Sequence, residues 1–224
     1  MSNNMTKDKL EKIIYRLFHE VKLANDCLSV FNTINDAKAS RGREIQSAFG
    51  FFDTVQRSTK YTLYMMLCNL YENDTRNEVV SLSKLINICE QNKSIFPDKY
   101  VIPFINEGVG NCENLEIPTD NGELQHEIKS WKNGLAGLSS TISKLNTWRN
   151  KYFAHNSKDV FYKKEGVFEE ITEVEIESLL NFALRVCKEA LSKLSHTEYD
   201  ITTHGLSLIA FIDSIQNTST EVTT

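Results

Sequence analysis

All three prolines of this 224-residue chain, Pro97, Pro103 and Pro118, fall in one window. Residues 1–96 and 119–224 contain none, so both long stretches lack the residue that most firmly interrupts a helix interior. Apolar side chains recur there at helical intervals. Leu10, Ile13, Ile14, Leu17, Val21, Leu28 and Phe31 predict a helix over residues 5–34. Ile45, Phe49, Phe52, Thr59, Leu63, Met66 and Leu70 form the seam of a second over 41–72, and Leu82, Leu85, Ile86 and Cys89 that of a third over 78–92. A fourth is expected over 121–155, with Leu138, Ile142 and Leu145 on its seam. Gly134 and Gly137 inside it either kink the helix or let another pass close.

Thr172 with Glu175 three residues later makes a capping box. It opens a helix over 173–195 whose apolar face carries Ile176, Leu179, Leu180, Ala183, Val186, Cys187, Ala190, Leu191 and Leu194. A short last helix is expected near 204–216. The window 93–120 has no clear period. It reads as a long irregular insertion between the third helix and the motif helix: a loop or flap outside the main core, or a site for a short helix around Val101–Asn106. Residues 160–168 read as a small hairpin or an extended loop. The expected fold class is therefore all-α, an antiparallel helical bundle in one domain over 1–216, followed by a disordered Thr/Ser-rich tail at 217–224.

Composition narrows the function classes. A hydrophobic fraction of 41% and a charged fraction of 25% are those of an ordinary globular protein. A net charge of -5 argues against a protein that coats nucleic acid nonspecifically, yet leaves room for a local basic site. The five cysteines, Cys27, Cys68, Cys89, Cys112 and Cys187, never form a Cys-x-x-Cys pair, which suggests reduced, mostly buried thiols. Met1 to Lys12 has no apolar leader, and Tyr61 to Tyr71 is too short to span a bilayer. A cytoplasmic chain without a membrane partner is the expectation. His19, His126, His196 and His204 lack metal-ligand spacing, and Gly108-Val109-Gly110 neither follows a strand nor opens a helix. No metal and no cofactor are expected.

The seam of the fourth helix continues, past Leu145, to Arg149 and Tyr152. A guanidinium stays charged, so burial there requires a partner carboxylate, a bound anion or an interface. Six residues later stands His155, the side chain whose unperturbed charge changes near neutral pH. No other arginine in the chain is followed five to seven residues later by a histidine. Lys144, Arg149, Lys151, Lys158, Lys163 and Lys164 surround this motif, and Glu165, Glu169, Glu170, Glu173, Glu175 and Glu177 follow. They are either two solvated faces that pair with each other or a basic lip over a phosphate site. A purely structural reading pairs Arg149 with a buried glutamate and leaves His155 as a cation favoured at a helix C-terminus.

The string Trp148-Arg149-Asn150-Lys151-Tyr152-Phe153-Ala154-His155 resembles the motif of HEPN-domain proteins, whose active members are metal-independent ribonucleases. Together with Leu70-Tyr71-Glu72-Asn73-Asp74 leading into Ser81-Leu82-Ser83-Lys84-Leu85, it resembles the abortive-infection (Abi U-type) branch of that superfamily, over residues 10–195. The resemblance implies a toxin-like endoribonuclease of phage defence, with an RNA substrate and a composite site at a homodimer interface. Arg149 would be the phosphate and transition-state ligand, His155 the proton-transfer residue, and Asn150 a substrate-orienting neighbour. Lys151 would support phosphate binding, and Tyr152 would pack under His155 or stack on a base. An antitoxin or regulatory partner protein is a further implied partner. The alternative is a catalytically silent HEPN module that binds nucleotide, RNA or a partner protein.

These residue types suit RNA cleavage. RNA carries its own nucleophile, the 2′-hydroxyl, so a base, an acid and positive charge on the phosphate suffice without a metal. Six residues on a helix amount to about 9 Å of rise and about 120° of rotation, so Arg149 and His155 on one straight helix point apart. Two copies crossing about a two-fold axis can bring one arginine near the partner's histidine.

Overall fold

The computed structural model describes residues 5–73, 80–97, 99–105, 112–118, 121–150, 169 and 171–195. In them the long apolar seams become seven α-helices: α1 Lys7–Ser40, α2 Gly42–Ser47, α3 Phe49–Leu70, α4 Leu82–Gln91, α5 Asn121–Gly137, α6 Ser139–Trp148 and α7 Glu173–Ser195. The class is the all-α antiparallel bundle that the periodicity predicts.

The frame is α1, about 51 Å long at 1.5 Å per residue. Leu10, Ile14, Leu17, Val21 and Ala24 are fully buried along it, facing α3 on one side and α7 on the other. Asn32, late in α1, meets Glu173 at the start of α7, so the two helices run antiparallel. The predicted capping box forms: Thr172 N–H donates to Glu175 Oε2 at 2.8 Å, and Glu175 N–H donates back to Thr172 Oγ1 at 3.3 Å. The main core joins α1, α3, α4, α5, α6 and α7 around Trp131, Leu67, Leu85, Leu145 and Leu179.

Three expectations change in detail. The predicted helix 41–72 is broken at Ala48 (φ -122°, ψ 32°) into α2 and α3. The break rotates the seam: Ile45 and Phe52 close a small second core with Ile34 and Ala37, while Phe49 turns outward, 51% exposed. The predicted helix 121–155 is likewise interrupted, at Leu138, between α5 and α6. Both readings of its glycines hold, one each. A Cβ on Gly134 would sit 2.5 Å from Phe182 Cε2, so this glycine lets α7 pass close. Gly137 meets nothing within 4 Å and sits beside the break.

The third change concerns the proline window. It is not irregular throughout, and residues 101–105, the alternative place for a short helix, form part of a strand. After a 3-10 turn at Lys93–Ile95, strands β1 Lys99–Ile105 and β2 Cys112–Pro118 pair antiparallel, with Pro103 opposite Asn114. Nor does the whole window lie outside the core, since Phe96 is 4% exposed and belongs to it. Residues 160–168, the expected last helix 204–216 and the tail 217–224 lie outside the described residues.

Candidate active site at the end of the motif helix

The motif helix α6 is anchored by apolar packing one turn before the motif. Leu145 is fully buried and Ile142 nearly so. Removing the Leu145 side chain would cost about 2–5 kcal/mol. Thr141 and Lys144, on the adjoining face, turn to α7. Lys144 Nζ lies 2.9 Å from Glu175 Oε1 and 3.5 Å from Glu169 Oε1. For this lysine the pairing reading is correct, and it is not part of a basic lip.

At Arg149–Asn150 the helix changes to a wider π turn. Such turns insert one residue per turn and re-aim the side chains that follow, and they are frequent at functional sites. Arg149 is half-buried, with 27% of its side chain exposed. Its guanidinium donates through Nη1 to Glu72, whose side chain is 12% exposed. Through Nε it donates to Asn150 Oδ1 at 3.2 Å. The seam arginine thus has a carboxylate partner inside its own chain, which is the structural alternative read from the sequence. Burial alone therefore no longer requires an anion or an interface at Arg149.

Glu72 is positioned with unusual care for a residue just beyond a helix end. Tyr71 beside it is 2% exposed, and its hydroxyl donates to the Leu179 carbonyl of α7 at 2.5 Å. Burial of that phenol pushes its pKa up. Ser83, at the start of α4, donates to the Glu72 carbonyl at 3.3 Å. The described parts of two segments that carried the resemblance, 70–73 and 81–85, are thus brought together, and their joint effect is to present the Glu72 carboxylate to Arg149. Beneath the pair lies Cys68, whose Sγ contacts the Leu145 carbonyl at 3.8 Å. Burial pushes its thiol up to about 12, with Arg149 opposing and Glu72 assisting. Cys27, Cys68, Cys89 and Cys187 are all buried and free, as expected, and a thiol held so high is a poor nucleophile.

The two residues beside the arginine in the chain each line a hollow. Asn150 borders a polar hollow of about 540 Å³ with Asn73, Lys132, Ser143, Asn146 and Thr147. Trp148 borders a second, of about 700 Å³, with Arg57, Lys60, Tyr61 and Tyr64. Of the sequence-predicted site residues, the structure brings Arg149 and Asn150 together, and Asn150 lines the first hollow. Lys151, Tyr152 and His155 lie outside the described residues.

A HEPN family model, described as AbiU2, matches residues 7–210, which include all seven helices and the Arg149–His155 segment. The chain belongs to the HEPN AbiU2 family. This is the abortive-infection branch of the HEPN superfamily. No curated protein and no solved structure matches the chain. Among the described residues, no helix of this AbiU2 domain is long and apolar enough to cross a membrane, and no group of three or more His, Cys, Asp or Glu could hold a metal ion.

Sequence reasoning named Arg149 and Asn150 but assigned no role to Glu72. The pair spans 77 positions, so no local spacing announces it. The signal was the resemblance itself, which carried Glu72 inside a segment with no assigned chemistry.

Proposed function

We propose that this AbiU2 domain is a metal-independent endoribonuclease of phage defence that cleaves RNA by attack of the 2′-hydroxyl on the adjacent phosphate. The reading is carried by one observation. A guanidinium that cannot lose its proton is held half-buried at the start of the motif by a positioned carboxylate and by its neighbour Asn150. Among the described residues only two of its five donors are engaged, which leaves donors to meet a phosphate. In this reading Arg149 stabilises the charge that builds on the phosphorane, and His155 moves the proton from the 2′-hydroxyl or to the 5′-oxygen. Asn150 orients the substrate. Lys151 supports the phosphate, and Tyr152 supports His155 or a base.

On one straight helix Arg149 and His155 would point apart, so we infer a composite working site, built by two chains across a two-fold axis through the motif helix. The intrachain partner of Arg149 makes that interface less costly, because each chain's own Glu72 offsets the arginine it brings to the axis.

The test is incubation of the purified protein with total RNA and tRNA in EDTA. Wild type should leave 2′,3′-cyclic phosphate and 5′-hydroxyl ends. Arg149→Lys should fail despite its charge, because a point charge lacks the bidentate fork. His155→Ala should fail as well. Equal cutting by all three, or cutting that needs Mg²⁺ and leaves 5′-phosphates, would remove the site. Light scattering at micromolar concentration should give a dimer, and a monomer that still cuts would remove the composite arrangement.

The second reading, a silent HEPN module that binds nucleotide, RNA or a partner, is favoured by the same ion pair, since Glu72 already neutralises Arg149. Glu72→Gln separates the two. If Glu72 positions the arginine for catalysis, cleavage falls. If the domain is silent, RNA ends do not change and only binding responds.

A further inference from the structure

Helix α3 presents a stripe at positions 57, 60, 61 and 64, the i, i+3, i+4, i+7 spacing of one helix face. It carries Arg57, Lys60, Tyr61 and Tyr64, two cations interleaved with two aromatic rings. The hollow they line is closed on its other side by Trp148, the residue before Arg149. Tyr64 is buried and meets Trp148 edge to face, ring centroids 5.9 Å apart, while the indole N–H donates to the Glu169 carbonyl at 3.1 Å. Lys60 Nζ stands 5.9 Å above the Tyr64 ring. Tyr61, by contrast, is 50% exposed on the same face.

Exposed aromatic faces next to flexible cations are what a single nucleic-acid strand uses: bases stack on the rings and phosphates meet the cations. Arg57 pairs with Asp53 on its own helix at 3.0 Å, with its side chain 80% exposed. Such a solvated pair contributes little and exchanges readily for a phosphate. A neighbouring hollow that shares Lys60 and Tyr64 is bordered by Glu173, an acid that a polyanion avoids. The favourable course for a strand is therefore along Arg57 and Lys60 toward Trp148, and so toward Arg149.

We propose that this basic, aromatic cleft on α3 is a binding subsite for single-stranded RNA, in which a base stacks on Tyr61 and the adjoining phosphates lie on Arg57 and Lys60. The subsite feeds the strand to Arg149 and rests on the ribonuclease reading for its purpose, but not for its chemistry. It also accounts for RNA binding by an acidic protein: the cations that matter are local, and the net charge is not.

The experiment uses a 2′-O-methyl RNA octamer, which lacks the nucleophile and stays whole even on an active enzyme. Of the two tryptophans, Trp131 is fully buried and bonded to Glu189 at 2.6 Å, so quenching on titration would report Trp148. Wild type should quench. Tyr61→Ala should weaken binding by roughly 5- to 150-fold, the loss of one stacked base, while Tyr61→Phe should restore it. Arg57→Gln with Lys60→Gln should shallow the salt dependence of log Kd by about 1.4, at about 0.7 per phosphate contact. Absence of quenching, or quenching that Tyr61→Ala and the double variant leave unchanged, would overturn the cleft. If the octamer binds and Tyr61→Ala weakens it while unmodified RNA is never cut, the cleft stands and the nuclease reading falls. If RNA is cut but the octamer ignores these substitutions, the nuclease reading stands and the cleft falls.

Discussion

Two cations on the motif helix, five residues apart, meet glutamates in different ways. Lys144 reaches Glu175, whose other oxygen already holds the Thr172 N–H at the start of α7. Every atom of that arrangement serves the joint between two helices. Arg149 reaches Glu72, which lies just past the end of α3 and is held there by Tyr71 and Ser83. The arginine's neighbours Trp148 and Asn150 each line a hollow, and among the described residues two of the five guanidinium donors are engaged. On the proposed function the same pair of charge types does two jobs: Lys144, whose partner is itself a helix cap, serves the structure, and Arg149, whose partner is held by other residues, serves the chemistry.

The largest expected effect breaks this comparison if it fails. Arg149→Ala should reduce RNA cleavage at least about 100-fold, the low end for a charge-stabilising group, and also lower the urea midpoint, because it leaves the Glu72 carboxylate, 12% exposed, unpaired. Lys144→Ala should lower the midpoint and leave cleavage unchanged. A loss of cleavage in both variants would mean that the two pairs are one network.

The next effect sharpens the part played by helix packing. Gly134→Ala forces a methyl against Phe182 and should destabilise by about 1–3 kcal/mol, measured by urea unfolding. Gly137→Ala meets open space and should be neutral or stabilising by up to about 1 kcal/mol. Equal effects would mean that α7 does not pass α5 as closely as described.

The smallest effect is in pH. The Thr172 N–H first, and Lys144 second, hold the Glu175 carboxyl down at about 2. A depressed carboxylate contributes stability that is present above its unfolded pKa, near 4.3, and lost as pH falls through about 2. Wild type should lose Tm across that acid window, and Glu175→Gln should lose less of it while starting lower at pH 7. An unchanged slope would mean that the cap does not depend on the charge.

How much of this was legible in the sequence follows from distance along the chain. The start of the helix Glu173–Ser195 was read correctly, because a capping box is a signal four residues wide. The break at Ala48 was not, since Ile45, Phe49 and Phe52 keep helical spacing across it and only the second core with Ile34 tells them apart. The β1–β2 hairpin was hidden by its prolines. In a two-stranded ladder each strand is an edge and only every other N–H faces the partner, so Pro103 is tolerated where a central strand would reject it. The seam placed Arg149 correctly as an arginine in an apolar position. Its partner could not be found that way, because a contact across 77 positions has no local period.

The antiparallel contact of α1 with α7 also sets a schedule for biosynthesis. The first helix is complete at Ser40, and its second wall extends to Ser195, 155 residues later. At about 5–20 residues per second, the apolar stripe from Leu10 to Ala24 waits roughly 8–30 s for the surface that will cover it. A nascent chain in that interval is a client for chaperones, and translation arrested before Glu173 leaves the stripe exposed. Ribosome-bound chains stalled at residue 172 should therefore be cut readily by protease within α1, and full-length chains should resist.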